Sequence, residues 1–213
     1  MGQMRPRLIL ICGNRGSGKT HLGWEILKNS PADLKVIVDV NNEFNGNIYP
    51  SIQKWKAAKS SPIFRLGSWR LPEFVKITRI EEAEIIFEEL RPDKSGQSIE
   101  FFVTEYDLIT SNSRIKQRFN FYNEIVQRGR HINCSLIANA RLIQDVDKYF
   151  IANADHHVFF KTGNFKALKY LKDCLPEFKG LVGNISNLGL YEKIVSKAPA
   201  TYRIFKKKET PDL

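Results

Sequence analysis

The chain has few of the residues that build metal sites, disulfide frameworks or membrane anchors. Its 213 residues include only three cysteines and four histidines, and their spacing matches neither a metal site nor a disulfide framework. The longest apolar run is well short of the roughly 18 residues that cross a bilayer, and the first residues show no signal-peptide pattern. We therefore expect a cytoplasmic protein without a membrane span, in which the cysteines are small core residues in a reducing compartment.

Acidic residues are also scarce relative to basic ones. The chain has 33 Lys and Arg against 23 Asp and Glu, for a net charge of +10. This excess favours a polyanionic partner such as nucleic acid or anionic lipid, although lysines that only solvate a surface give the same balance. The length and the 42% hydrophobic content suit one α/β domain. We predict a single domain over residues 1–213, with a core over about 7–161 and a C-terminal extension over about 162–213.

A phosphate-binding loop stands near the start of the chain, between an apolar run and a helix-like stretch. It fits the pattern G-x-x-x-x-G-K-[ST] of a P-loop. Its residues are Gly13, Asn14, Arg15, Gly16, Ser17, Gly18, Lys19 and Thr20. Backbone N–H groups of such a loop bind phosphate oxygens, the lysine reaches the terminal phosphates, and the hydroxyl of Thr20 ligates Mg²⁺. The sequence predicts binding of ATP and Mg²⁺, with His21 as the last residue of the nucleotide site.

Strand-like and helix-like segments alternate along the chain, which predicts a mostly parallel sheet flanked by helices. The predicted strands cover 7–12, 35–40, 63–66, 74–77, 99–104, 133–138, 157–161, 190–195 and 201–205. The predicted helices cover 19–29, 51–59, about 80–90, 115–126, 142–153 and 165–174. We expect a loop around Gly180, Gly183 and Gly189.

Hydrolysis of a triphosphate needs an acidic residue beside the metal and the γ-phosphate. Glu105 ends a buried strand and is the candidate base that polarises the attacking water, while Asp107 is a weaker candidate. The residue before Glu105 is Thr104, where an aspartate is expected. Magnesium is therefore held either by Thr20 together with waters bonded to Thr104, or by Glu105 itself.

Polar residues near the fourth of the main strands supply the remaining candidates. Asn139 stands at the exit of that strand, where its amide would contact the γ-phosphate or the attacking water, unless it only caps the next helix. Arg128, Arg130 and Arg141 flank the same strand. At least one of them is a candidate arginine finger for the nucleotide of a neighbouring subunit, and each alone can equally be a solvated loop residue.

Five elements, in order, resemble the HerA/FtsK superfamily, and within it the small genome-packaging ATPases of membrane-containing icosahedral viruses. They are the P-loop, the Asp-Val-Asn-Asn-Glu-Phe segment 39–44, the acidic strand end at Glu105, the arginine-bounded strand 128–141 and the segment 151–161. The segment 39–44 is similar to the family's Asp-Pro-His-Gly-Glu-Tyr. The chain departs from the family at Thr104 and at Ala140, where glutamine is common.

The resemblance implies a RecA-like (ASCE) P-loop NTPase that assembles into a homo-oligomeric ring, commonly a hexamer. It also implies that ATP hydrolysis drives double-stranded DNA, without sequence specificity, into a preformed capsid. Viral capsid or portal vertex proteins would then be partners, in the host cytoplasm or at the packaging vertex of the virion. A P-loop kinase of a small metabolite or nucleotide is the main alternative, and a scaffold that binds ATP without hydrolysing it is a third.

Overall fold

Nine strands of the described residues form one sheet in this computed structural model. The structure describes residues 5–39, 41, 43–44, 48–49, 74–77, 84, 87–88, 96–107, 120–174, 179–196, 201–206, 209 and 211. The strands are β1 (Leu8–Cys12), β2 (Leu34–Val38), β3 (Ile48–Tyr49), β4 (Phe74–Ile77), β5 (Ile99–Val103), β6 (Cys134–Ala140), β7 (His156–Phe160), β8 (Lys193–Ser196) and β9 (Tyr202–Phe205). Their spatial order is β3-β4-β2-β5-β6-β1-β7-β8-β9.

The first seven strands in this order are parallel, and β8 and β9 extend the sheet as antiparallel strands. The described helices are α1 (Lys19–Lys28), α2 (Asn120–Arg128), α3 (Lys148–Asn153), α4 (Phe165–Cys174) and α5 (Lys179–Asn187), with a 3₁₀ turn at Ile143–Asp145. This architecture confirms the predicted fold class of a mostly parallel central sheet flanked by helices. In the described part of the chain, no helix combines the length and the apolar character that crossing a bilayer requires.

Apolar side chains cover both faces of the sheet, as expected of parallel strands that are buried on both sides. Alternate residues of β1 illustrate this: Ile9 and Ile11 pack with α1 on one face, and Leu8, Leu10 and Cys12 belong to the cluster on the other. That second cluster also takes in apolar residues of α2 to α5. The helix into which the P-loop continues, α1, therefore covers one face of the sheet, and α2 to α5 pack on the other.

The buried strands also account for two of the cysteines. Cys12 and Cys134 are buried free thiols, which confirms their prediction as core residues. Burial raises the pKa of both thiols well above the usual value of a cysteine. They therefore stay protonated and behave as small apolar side chains. The side chain of Cys174 lies outside the described residues.

Two predicted elements differ from the structure. The segment 142–153 is not one helix, because the chain makes a 3₁₀ turn and starts α3 afresh at Asp147, whose carboxylate accepts a hydrogen bond of 2.7 Å from the N–H of Tyr149. The predicted glycine loop is largely α5, because Leu181, Val182 and Ile185 bury one helical face and override the low helix propensity of glycine. The predictions for 51–59 and 63–66 lie outside the described residues, as does most of 80–90.

Candidate functional site

The P-loop connects β1 to α1 at the carboxyl edge of the parallel strands, where open α/β sheets bind ligands. Backbone hydrogen bonds fix the loop on both sides: the N–H of Gly13 donates to the carbonyl of Ala140 at 3.3 Å, and the N–H of Asn14 donates to the carbonyl of Lys161 at 3.2 Å. A Cβ atom at Gly13 would lie 2.6 Å from the Cβ of Phe160, so a side chain does not fit there. The loop is thus attached to the ends of β6 and β7.

The start of α1 presents free amide groups. Its N-cap residue is Gly18, which has a φ of 99° and makes no side-chain cap. The first N–H groups of a helix have no partner within the helix and carry partial positive charge, so they bind anions well. Asn14, Arg15 and Gly16 on the opposite rim are exposed to solvent. A phosphate chain can therefore enter the loop from solvent.

Lys19 occupies the position expected of the phosphate-binding lysine. Only 8% of the residue is exposed, and its ammonium group donates a hydrogen bond of 2.8 Å to the carbonyl of Asn14. Burial lowers the pKa of Lys19, and the negative groups around it, which include Glu105 and Asp107, act in the opposite direction. A poorly hydrated ammonium in this position gains strongly from phosphate oxygens.

Glu105 follows β5 and comes close to the P-loop edge of the sheet. Its Oε1 accepts a hydrogen bond of 3.0 Å from the amide of Asn41, and its Oε2 lies 3.1 Å from Nε of Arg141. Burial raises the pKa of Glu105, while the guanidinium of Arg141 lowers it. The structure therefore brings the candidate base together with Arg141 of the same chain and adds Asn41, a residue of the segment 39–44 for which the sequence indicated no individual role.

Asn41 lies in a turn that is closed by hydrogen bonds to Asp39. The carboxylate of Asp39 accepts hydrogen bonds of 3.0 Å from the N–H groups of Glu43 and Phe44. The ring of Phe44 packs against Trp24 of α1, with centroids 5.3 Å apart, and against Phe102 of β5 at 6.0 Å. The turn thus connects the P-loop helix to the strand that carries Glu105. An Asp followed by an aromatic residue five positions later was the sequence signal for it.

Asn139 lies inside β6 and is fully buried, so it does not cap a helix. It pairs with Ile11 of β1, on the face of the sheet that packs against α1. Within the described residues, neither its amide nitrogen nor its amide oxygen has a hydrogen-bond partner. Such a group costs about 1–3 kcal/mol while it remains unsatisfied. A buried amide without partners on the P-loop face fits a residue that awaits a ligand.

Thr104 and Asp107 complete the acidic strand end. The hydroxyl of Thr104 donates to the carbonyl of Val38 at 3.2 Å, so its proton is directed at β2. Asp107 is buried, and its Oδ2 accepts a hydrogen bond of 3.3 Å from the N–H of Leu142. Its charge acts on both Lys19 and Glu105. A second carboxylate therefore lies near the loop, although it stands three residues after the expected position.

Arg128 and Arg130 lie at the other end of the sheet. Arg130 pairs with the carboxylate of Asp155, which also accepts a hydrogen bond of 2.8 Å from the N–H of Leu8 at the start of β1. Arg128 ends α2, before β6 begins, and lies 3.4 Å from Glu124. Five residues of β1 separate this edge from the P-loop, about 15 Å at the usual rise of a strand. Of the three candidate arginines, Arg141 alone is at the P-loop edge.

The mostly parallel sheet, the phosphate-binding loop between β1 and α1 and the nearby carboxylate of Glu105 are the features of the P-loop NTPase fold. No protein-family model and no curated protein sequence matches the chain. Among solved structures, it is similar to the genome packaging NTPase B204 of Sulfolobus turreted icosahedral virus 2. The complex with sulfate has a TM-score of 0.70 and 15% identity over 97% of this chain and 98% of that one. The AMPPCP complex has a TM-score of 0.68 and 16% identity over 94% and 97%.

A second similar structure is the pCW3 conjugation coupling protein TcpA, in its monomer form with ATPγS. The TM-score is 0.57 and the identity 15%, over 94% of this chain and 60% of that one. At such low identity the likeness shows the fold, and it confirms the RecA-like P-loop architecture that the family resemblance implied.

Proposed function

We propose that this protein is a Mg²⁺-dependent ATPase that translocates double-stranded DNA. One observation carries the proposal: Glu105 lies at the P-loop edge of the sheet, 3.1 Å from Arg141, and Arg141 directly follows Ala140, whose carbonyl accepts a hydrogen bond from the N–H of Gly13 in the P-loop. A phosphate grip and a carboxylate at one sheet edge are the parts that triphosphate hydrolysis requires. The likeness to a genome packaging NTPase and to a conjugation coupling protein supports DNA as the substrate of the motor.

In the proposed mechanism, the amides of the loop and of α1 bind the phosphates while Lys19 contacts the terminal ones. The hydroxyl of Thr20, together with waters bonded to Thr104, would hold Mg²⁺, which would neutralise phosphate charge when bound; in the alternative, Glu105 would hold the metal and would not be the base. Glu105 accepts a proton from the attacking water, and the amide of Asn139 orients that water or contacts the γ-phosphate. Burial raises the pKa of Glu105, the direction that makes its carboxylate a stronger base.

Glu105 retains an acceptor oxygen beside its two partners. The amide of Asn41 donates to Oε1, whereas Oε2, which lies 3.1 Å from Nε of Arg141, accepts no hydrogen bond within the described residues. Arg141 therefore acts in cis on Glu105 in this proposal, and the arginine finger falls to Arg128 or Arg130. Arg130 is 63% exposed at the opposite edge of the sheet, where a neighbouring subunit of a ring could approach it.

The proposal assigns DNA contact to the basic surface of a ring. The net charge of +10 suits non-specific binding to phosphates, which needs Lys and Arg more than base contacts. Packaging of a viral genome, a hexameric ring and docking to a capsid or portal vertex rest on the family resemblance and on the likeness to B204.

The test is phosphate release from ATP with and without duplex DNA. We expect release that duplex DNA stimulates, and Glu105→Gln should eliminate it while ATP binding persists. DNA-independent transfer of the phosphoryl group to a small acceptor would instead establish the kinase alternative. Negligible release in both the native protein and the Glu105→Gln variant would establish the scaffold, which Thr104 at the usual aspartate position would explain.

The finger assignment is tested by mixing variants. Arg128→Ala and Arg130→Lys should each fold and bind ATP, and the true finger variant should lose turnover. Mixing the finger variant with Glu105→Gln should recover activity. In a mixed ring, some interfaces combine the intact Glu105 of one subunit with the intact finger arginine of its neighbour. Loss of turnover without any recovery in the mixture would refute a finger that acts in trans.

A further inference from the structure

The loop before β8 brings the C-terminal part of the chain to the P-loop. Because β8 runs antiparallel to β7, with Phe160 paired to Lys193, the start of β8 lies at the carboxyl end of β7. The P-loop is bonded to that same end through the carbonyl of Lys161. Residues 188–192 therefore border the phosphate site, although no motif in this part of the sequence indicates nucleotide binding.

Tyr191 holds an unusual backbone conformation in this loop. Its φ is 66°, in the left-handed region that bulky residues seldom adopt. Two hydrogen bonds between its neighbours close the turn: the N–H of Gly189 donates to Oε2 of Glu192 at 2.8 Å, and the N–H of Glu192 donates to the carbonyl of Gly189 at 3.2 Å. A strained backbone that carries a large ring indicates a functional constraint on the side chain.

The strained turn directs the ring of Tyr191 at the first turn of α1. A Cβ atom at Gly18 would lie 3.2 Å from Cδ1 of Tyr191 and 3.6 Å from Cε1 of Phe160, so both rings border this glycine. Phe160 is only 2% exposed, whereas Tyr191 is partly exposed. The neighbouring Leu190 is 68% exposed. A partly exposed aromatic ring, followed back along the chain by an exposed apolar side chain, thus borders the glycine at which the P-loop passes into α1.

We propose that the ring of Tyr191 stacks on the nucleobase of the bound nucleoside triphosphate, with Leu190 as an apolar flank. This inference rests on the proposed nucleotide site. Stacking on a tyrosine ring uses the π-face that every base has, so the subsite accepts adenine and guanine alike. The C-terminal extension thereby becomes part of the nucleotide site.

The experiment compares Mg²⁺ complexes of ATP, GTP and inorganic tripolyphosphate binding to the full chain by calorimetry. Tyr191→Asn removes the ring and keeps a residue that tolerates positive φ. We expect it to weaken ATP and GTP binding about tenfold or more, the range of base stacking on aromatic rings, and to leave tripolyphosphate within twofold. Tyr191→Phe should bind all three like the native protein. Tyr202→Asn is the matched control, because β9 places Tyr202 at the far end of β8.

Three results would overturn the inference. One is an ATP affinity that Tyr191→Asn leaves unchanged. Another is an equal loss for ATP and tripolyphosphate, which would mean that the ring only supports the packing of the loop. A third is a native protein that binds tripolyphosphate as tightly as ATP, because the base would then contribute nothing. A native protein that binds none of the three would instead refute the proposed nucleotide site itself.

Discussion

Gly23 lies in the middle of α1, and its replacement by alanine separates helix propensity from packing. Alanine in place of glycine inside a helix is worth about 1 kcal/mol in propensity. A Cβ atom at Gly23, however, would come within 3.0 Å of two ring carbons of Phe102, with a third at 3.2 Å. Phe102 is fully buried and its ring packs against Phe44. The ring therefore has little room to yield, and α1 must move instead.

The gain in helix propensity can be compared with the cost of the overlap with Phe102. Relieving the overlap requires a shift of α1 by roughly 1 Å, to restore ordinary carbon contacts. Overpacking of this kind costs about 1–3 kcal/mol, which exceeds the propensity gain. Because the P-loop continues directly into α1, the same shift should lower turnover, and a misplacement of about 1 Å can reduce a rate about 100-fold. Gly23→Ala should thus be both less stable and less active.

Gly183→Ala in α5 is the matched control. It is the same substitution in a helix, at an exposed position with open space around the new Cβ atom. We expect Gly183→Ala to raise the melting temperature by about 2 °C and Gly23→Ala to lower it by several degrees, as about 2–4 °C per kcal/mol implies for this size. Thermal unfolding and ATP hydrolysis of both variants provide the measurement. A Gly23→Ala protein as stable and as active as Gly183→Ala would refute the packing argument.

Three further variants test the site. Lys19→Ala should lower ATP affinity about 100-fold or more through loss of a charged contact to phosphate, whereas Lys28→Ala at the far end of α1 should bind normally in the same titration. Arg141→Gln removes a positive charge that lowers the pKa of Glu105, so this pKa should rise further. Because the base must be deprotonated to act, the acid limb of the pH profile of hydrolysis should move to higher pH. An unshifted pH profile would contradict the cis pairing. Asn139→Leu removes unsatisfied buried amide atoms and should stabilise the protein by about 1–3 kcal/mol while turnover falls; a stability loss in thermal unfolding would contradict this.

The sequence was most informative where local rules and tertiary packing agree. The strand–loop–helix unit of the P-loop, the apolar strands and the span of α4 follow from residue patterns that the final packing reinforces. The prediction was wrong for α5, because its glycines favour a loop locally while its apolar face gains more by packing on the sheet. Asn139 was taken for the exit of its strand, yet β6 continues through Ala140.

Side-chain partnerships were not predictable from the sequence. Arg128, Arg130 and Arg141 look alike along the chain, but the strand β6 between them places the first two at one edge of the sheet and the third at the other. Asn41 and Tyr191 reach the site through a turn and through an antiparallel strand pairing, respectively. Both depend on contacts between residues far apart in sequence, which residue patterns do not encode.

The antiparallel addition of β8 and β9 has a practical consequence for anyone who shortens this protein. A truncation after residue 161 would keep all five elements of the sequence resemblance, yet it would remove β8, one of the two strands that pair with β7, an apolar strand that ends in Phe159 and Phe160. The unpaired main-chain N–H and C=O groups of β7 would then form an exposed sheet edge, which promotes pairing with other chains and aggregation. Fragments that look complete by their motifs should therefore be expected to precipitate.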